Sequence, residues 1–164
     1  MNFNIRVAQE DDYRYVKEWL LEPNVLEGFP MCNEKEVEDS AKMWVFYYKF
    51  ESCFIAEVDG EPAGSVLLNL TFFEKIKHQC LLSIIVGQKY RNLGLGKKLL
   101  EFIEIKAKEK FNIELLHLEV YENNPAKRLY ERMGYQYYGE HKNFIKEDYN
   151  YKSKILMQKW LIQR

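Results

Sequence analysis

Residues 84–109 read IIVGQKYRNLGLGKKLLEFIEIKAKE. The stretch opens as an apolar strand, passes through Arg91-Asn92-Leu93-Gly94-Leu95-Gly96, and continues with helical periodicity. Glycine costs stability inside a helix, so two of them at a strand-to-helix junction call for another reason. A helix N-terminus carries free N–H groups and a partial positive charge, which makes a strand–glycine–helix unit a ready anion site. Gly94 and Gly96 let oxygens approach the main chain without meeting a Cβ. Arg91 could add a charge-assisted contact, and Lys97 and Lys98 bring further positive charge.

Two common phosphate loops do not fit. A P-loop with Gly96 as its second glycine would need glycine at Arg91 and Ser or Thr at Lys98. The dinucleotide fingerprint would need its third glycine at Leu99.

Outward from this junction, the pattern is that of a single α/β domain spanning 1–164. Phe3 to Val7 alternates as a strand, and YRYVKEWLL follows Asp11 and Asp12 with helical spacing. Asn33 and Glu36 predict a capping box at the head of a helix running to about Phe50, with Val37, Ala41, Trp44, Val45 and Tyr48 on one face. CFIAEV and AGSVLLNLTFF flank Asp59-Gly60 as a hairpin. CLLSIIV is nearly continuous in its apolar residues, as in a strand buried on both faces. ELLHLEVY reads as a strand, Asn124-Pro125 starts a short helix that Gly134 ends, and YQYYGE and YNYKSKILM are two closing strands. The expected order is β-α-α-β-β-β-α-β-α-β-β.

Composition narrows the function. The 164 residues are 47% apolar and 15% aromatic, enough for a sizeable core. A net charge of −1 speaks against a nucleic-acid partner. Cys32, Cys53 and Cys80 are odd in number and lack metal-ligand spacing, so reduced thiols and a cytoplasmic location are expected, with no metal. No apolar run is long enough to span a bilayer, and the first residues lack the apolar core of a signal peptide.

The strand, the glycine loop and the later LEVYENNPAKRLYERMGY form a constellation. On these residues the chain resembles the GNAT superfamily of acetyl-CoA-dependent N-acetyltransferases. The loop matches that family's Q/R-x-x-G-x-G/A at Arg91 through Gly96. The second segment matches its L-E-V … N … A-x-x-L-Y-E-x-x-G-F/Y, and the likeness extends over nearly the whole chain. It implies a mixed, mostly antiparallel central sheet splayed between two strands, with helices on both faces, as in the acyl-CoA N-acyltransferase fold.

The resemblance also implies roles. Arg91, Asn92, Leu93, Gly94, Leu95, Gly96 and Lys97 would hold the pyrophosphate of CoA. Ile84, Ile85 and Val86 would offer edge hydrogen bonds to the pantetheine, and an amide near Val86 would face the oxyanion. Tyr130 would be the general acid for the departing thiolate. Asn123 is expected to contact CoA, with Ala126 at its usual offset, while Asn124 caps the helix. The count from Val120 reaches Asn124 instead.

A base for the incoming amine is harder to find. The strand CLLSIIV has no acid, and Glu119 in LEV is the best alternative, with His117 and His78 behind it. Glu119 could equally be a carboxylate at the edge of the sheet or one bound to a lysine. The first helix pair and the last hairpin would build the acceptor pocket, where Glu22 and Glu27 would suit a cationic amine and aromatics such as Trp19 could give cation–π contacts. The main expectation is acetyl transfer from acetyl-CoA to a primary amine by direct attack in a ternary complex. The alternative is a non-catalytic acyl-CoA-binding or protein-interaction module on the same scaffold. The final strand could pair or swap in a homodimer.

Overall fold

The computed structural model describes residues 1–164. In chain order its elements are β1 (Phe3–Val7), α1 (Tyr13–Leu20), α2 (Glu34–Phe46), β2 (Cys53–Val58), β3 (Glu61–Asn69), β4 (Gln79–Val86), α3 (Leu95–Phe111), β5 (Leu115–Tyr121), α4 (Ala126–Arg132), β6 (Gln136–Glu147) and β7 (Asn150–Trp160). This is the order read from the sequence. Hydrogen bonds arrange the strands as one seven-stranded sheet, β1-β2-β3-β4-β5-β7-β6. Pairing is antiparallel at β1–β2, β2–β3, β5–β7 and β6–β7, and parallel at β4–β5. The chain divides into two compact units, Met1–Leu70 with Leu82–Ile103, and Thr71–Leu81 with Glu104–Arg164, so the divisions fall inside β4 and α3.

In the first unit the β2–β3 hairpin turns at Asp59 and Gly60, with φ of 51° and 85°. Left-handed backbone at both central residues is the turn whose twist suits two adjoining strands. Helices α1 and α2 bury Val16, Trp19, Leu20, Val37, Ala41, Trp44 and Val45 against Cys53, Ile55, Leu67 and Ile85. The opposite face of the same strands meets α3, where Phe54 and Phe102 stack edge-on at 4.9 Å. The buried Trp44 indole donates to Ser65 Oγ at 2.9 Å, and that hydroxyl donates on to the Phe54 carbonyl at 2.8 Å, so neither polar group is left orphaned.

The N-terminal end of α2 departs from the expected box in one detail. Asn33 accepts from the Glu36 amide at 2.9 Å as predicted, but the Glu36 carboxylate reaches the Cys32 amide at 2.7 Å rather than that of Asn33. The helix also stops at Phe46, and residues 47–50 tighten into a 3-10 turn that ends at left-handed Glu51.

Strand β4 corrects the expectation of burial on both faces. Cys80, Leu82 and Ile85 are buried, while Leu81, Ser83, Ile84 and Val86 are only half-buried. The alternation slips by one residue between Leu82 and Ile85, as an irregular strand would show. Beside it, β3 comes close. A Cβ on Gly64 would stand 2.8 Å from the Ile85 carbonyl oxygen and 3.4 Å from the Val86 Cα. Gly64→Ala is therefore expected to destabilise the protein by about 1–3 kcal/mol, because backbone cannot swing aside as a side chain can. A denaturant melt with an unchanged midpoint would count against this close approach.

In the second unit β5 alternates as far as Val120, and Tyr121 is buried as well. Leu116, Leu118 and Val120 are buried, with Met157 of β7 opposite Leu118, while His117 and Glu119 point to the less buried face. The parallel ladder with β4 uses only Gln79, Cys80 and Leu81 against Leu115, Leu116 and His117. Beyond β7, β6 closes the sheet as an edge strand, exposed or half-exposed along its whole length. No helix is long and apolar enough to cross a membrane.

Candidate functional site

In the first unit, the junction after β4 is a double left-handed turn. Asn92 has φ 62° and Gly94 φ 82°, and a Cβ placed on Gly94 would meet no atom within 4 Å. The first hydrogen bond of α3 runs from the Lys98 amide to the Gly94 carbonyl at 3.1 Å. The amides of Leu95, Gly96 and Lys97 therefore project from the helix end without intrahelical partners, at the positive pole of a 17-residue helix. The left-handed backbone favours glycine at 94, and the space where a Cβ would stand is open. Bare amides at a helix N-terminus suit an anion.

The charges around it are partly committed. Arg91 Nε donates to the Val86 carbonyl at 3.0 Å, and Arg91 Nη2 reaches Glu22 Oε2 at 3.2 Å. The same Glu22 oxygen accepts from the Gln88 amide at 2.9 Å. Glu22, expected to face a cationic acceptor, is thus bound to the turn, and Arg91 is folded back on its own strand. Lys97 lies 3.7 Å from Glu101, and the Lys98 ammonium sits over the Phe3 ring. Gly87 is pressed against α1, where an added Cβ would lie 2.8 Å from the Trp19 indole nitrogen. Ile84 and Val86 are half-buried and Ile85 is buried in the core.

In the second unit, the short helix α4 carries Tyr130. The helix closes with the Gly134 amide on the Glu131 carbonyl and the Tyr135 amide on the Tyr130 carbonyl, both at 3.0 Å, with Gly134 at φ 92°. This paired C-terminal closure brings the Tyr130 and Tyr135 rings together at 6.3 Å, edge to face. L-Y-E-x-x-G-Y is thus a helix-ending device as well as a sequence motif. Tyr130 is 9% exposed, and loss of water around it pushes its phenol up to about 12. Upstream, Asn123 is left-handed at φ 65°, and Asn124 Oδ1 accepts from the Ala126 amide at 3.0 Å. That bond closes a turn just ahead of the helix, whose N-cap position is Pro125 and carries no side-chain cap, so Asn124 is not the cap residue expected of it.

Glu119 is held from across the sheet. Lys154 Nζ lies 3.1 Å from its Oε2, and the same ammonium sits 3.8 Å above the Phe144 ring. Lys154 stands opposite Tyr121 in the β5–β7 ladder, so it is diagonal to Glu119, within reach of a long side chain. His117 hydrogen-bonds Gln79, and its imidazole is pulled down mainly by burial, against the pull of Glu119. The sequence offered no signal for the Lys154–Phe144 seat or the Glu22 clasp, because both depend on partners brought together by register and helix packing. No three His, Cys, Asp or Glu side chains gather closely enough to hold a metal ion.

A mixed, mostly antiparallel sheet with helices, and bare amides at the strand-to-helix turn after β4, define the class as an α/β protein. The chain belongs to the acetyltransferase (GNAT) family, whose model matches residues 13–135. It is 38% identical over 148 residues to the spermine/spermidine N(1)-acetyltransferase of Bacillus subtilis, covering 85% of this chain and 91% of that one. It is 37% identical over 92 residues to an N-alpha-acetyltransferase of Sulfurisphaera tokodaii, covering 51% of this chain and 55% of that protein's length. In fold it matches yncA of Salmonella typhimurium, solved with its cofactor acetyl-CoA, with a TM-score of 0.81 at 20% identity over 100% of this chain and 96% of that one.

Proposed function

We propose that residues 1–164 act as one catalytic domain that transfers the acetyl group of acetyl-CoA to a primary amine, by direct attack of the amine on the thioester in a ternary complex. The observation that carries this reading is the Gly94 turn. It combines a left-handed glycine, open space where a Cβ would stand, and unpaired amides at the head of α3. Those amides, from Asn92 to Lys97, suit the pyrophosphate of CoA. The end of β4 lies outside the parallel ladder, and its main chain at Ile84, Ile85 and Val86 is proposed to run alongside the pantetheine. Asn123, with its backbone already turned left-handed and its neighbour's side chain engaged by the Ala126 amide, is proposed as a further CoA contact beside Ala126.

In the reaction the amine nitrogen bonds to the acetyl carbon and the C–S bond breaks. Tyr130 is proposed to serve the sulfur. With its phenol pushed up to about 12 it stays protonated at any physiological pH. It is also a weaker acid than an ordinary thiol at about 8.5, so it donates a hydrogen bond to the developing thiolate rather than ionising ahead of it. Glu119 is proposed to take the ammonium proton, on the oxygen that Lys154 does not hold. Glu119→Gln is expected to move the acid limb of the pH–rate profile and to lower turnover about tenfold or more. An unchanged limb would assign that proton to bulk water.

The acceptors to try first follow from the relatives' names, polyamines and peptide N-termini, with free amino acids and aminoglycosides beside them. Release of free thiol from acetyl-CoA should depend on one of these amines. Binding of CoA without amine-dependent release from any acceptor would favour a non-catalytic acyl-CoA binder.

A further inference from the structure

The end of α1 is keyed to the turn between β4 and α3 at two points. Trp19 packs against Gly87, where no side chain would fit, and Glu22 accepts from the Gln88 amide and from Arg91. Arg91 in turn holds the Val86 carbonyl. One carboxylate oxygen therefore holds Gln88 and Arg91, and Arg91 closes the segment back on Val86, immediately ahead of the left-handed Asn92 and Gly94. The guanidinium, whose motif position suggests a phosphate ligand, has its charge matched by a side chain of the protein and two of its nitrogens engaged. The positive charge left for a diphosphate comes from the helix end and from Lys98, with Lys97 shared with Glu101.

We infer that Glu22 is a positioning residue for the cosubstrate loop, acting through Arg91, and that Arg91 braces the loop rather than gripping phosphate. This rests on the proposed acetyl-CoA reading for its functional consequence, but the clasp itself exists in the free protein. A brace and a phosphate ligand make opposite demands on Glu22. If Arg91 is a brace, losing Glu22 or losing Arg91 loosens the same turn. If Arg91 is a ligand, Glu22 competes with phosphate for it, and losing Glu22 releases it.

The test is a double-mutant cycle on the full chain, with CoA affinity measured by calorimetry and kcat and KM by thiol release. Glu22→Ala and Arg91→Ala are each expected to weaken CoA binding about tenfold, as for loss of a charge-assisted contact. The double variant should be within about twofold of either single one, because the two changes remove one interaction. Glu22→Gln keeps an acceptor for Gln88 but not the charge, and should fall between wild type and Glu22→Ala. Tighter or unchanged CoA binding in Glu22→Ala, with weaker binding in Arg91→Ala, would overturn the inference, as would additive losses. Amide hydrogen exchange at Gln88 in the ligand-free protein separates this from the wider reading. It should quicken about tenfold or more in Glu22→Ala. Unchanged exchange there rejects the clasp. A wild type that binds no CoA rejects the acetyl-CoA reading while the exchange result still stands.

Discussion

Tyr130→Phe is expected to slow turnover by about a hundredfold or more while changing CoA affinity by less than about threefold. The ring would stay where it is. Tyr130 is buried on α4, its carbonyl is tied to the Tyr135 amide, and its ring is stacked edge-on against Tyr135. Phenylalanine keeps all of this and removes only the hydroxyl, so the loss should be confined to the step in which the departing sulfur takes that hydrogen bond. The pH dependence adds a second reading. Since burial pushes the phenol up to about 12, the wild-type profile should show no alkaline fall from Tyr130 below that range. Single-turnover kinetics with acetyl-CoA, set beside calorimetry with CoA, make the comparison. Equal losses in rate and affinity would remove Tyr130 from the chemistry and leave it a packing residue.

Gly94→Val should do the reverse, with CoA affinity falling about a hundredfold or more and only a small loss of stability. A branched side chain at φ 82° is strained, at a cost of roughly 1–2 kcal/mol. No neighbouring atom lies within 4 Å of the new Cβ, so the protein itself offers no clash. The added methyls would instead stand in open space at the turn that leads into α3, where diphosphate oxygens are proposed to lie. Thermal unfolding and calorimetry on the same sample distinguish the two effects. A variant that binds CoA normally would move the anion site away from this turn.

Much of this could be read along the chain, and the reasons are local. The Asp59-Gly60 hairpin, the Asn33 cap, the Gly134 helix stop and the Gly94 turn each depend on what one or two residues allow the backbone to do. Such preferences act over a few positions, so spacing alone exposes them. The element order and both family motifs followed. The burial of β4 did not, because an apolar run is the same string whether one face or two are covered, and the half-buried Ile84 and Val86 were indistinguishable from core residues.

The roles of the charged residues were the least legible. Glu22 was expected to await a cation from outside and is instead bound to Arg91 and Gln88. Glu119 could have been base or ion-pair partner, and nothing near it in sequence points to Lys154 above Phe144. Sequence by itself determined which backbone segments bend, stop and leave amides bare, since those follow from glycine, asparagine and proline at set positions. Only the tertiary structure decided which charge meets which. A salt bridge needs two side chains within about 4 Å, and strand register and helix packing bring together residues that lie tens of positions apart in the chain.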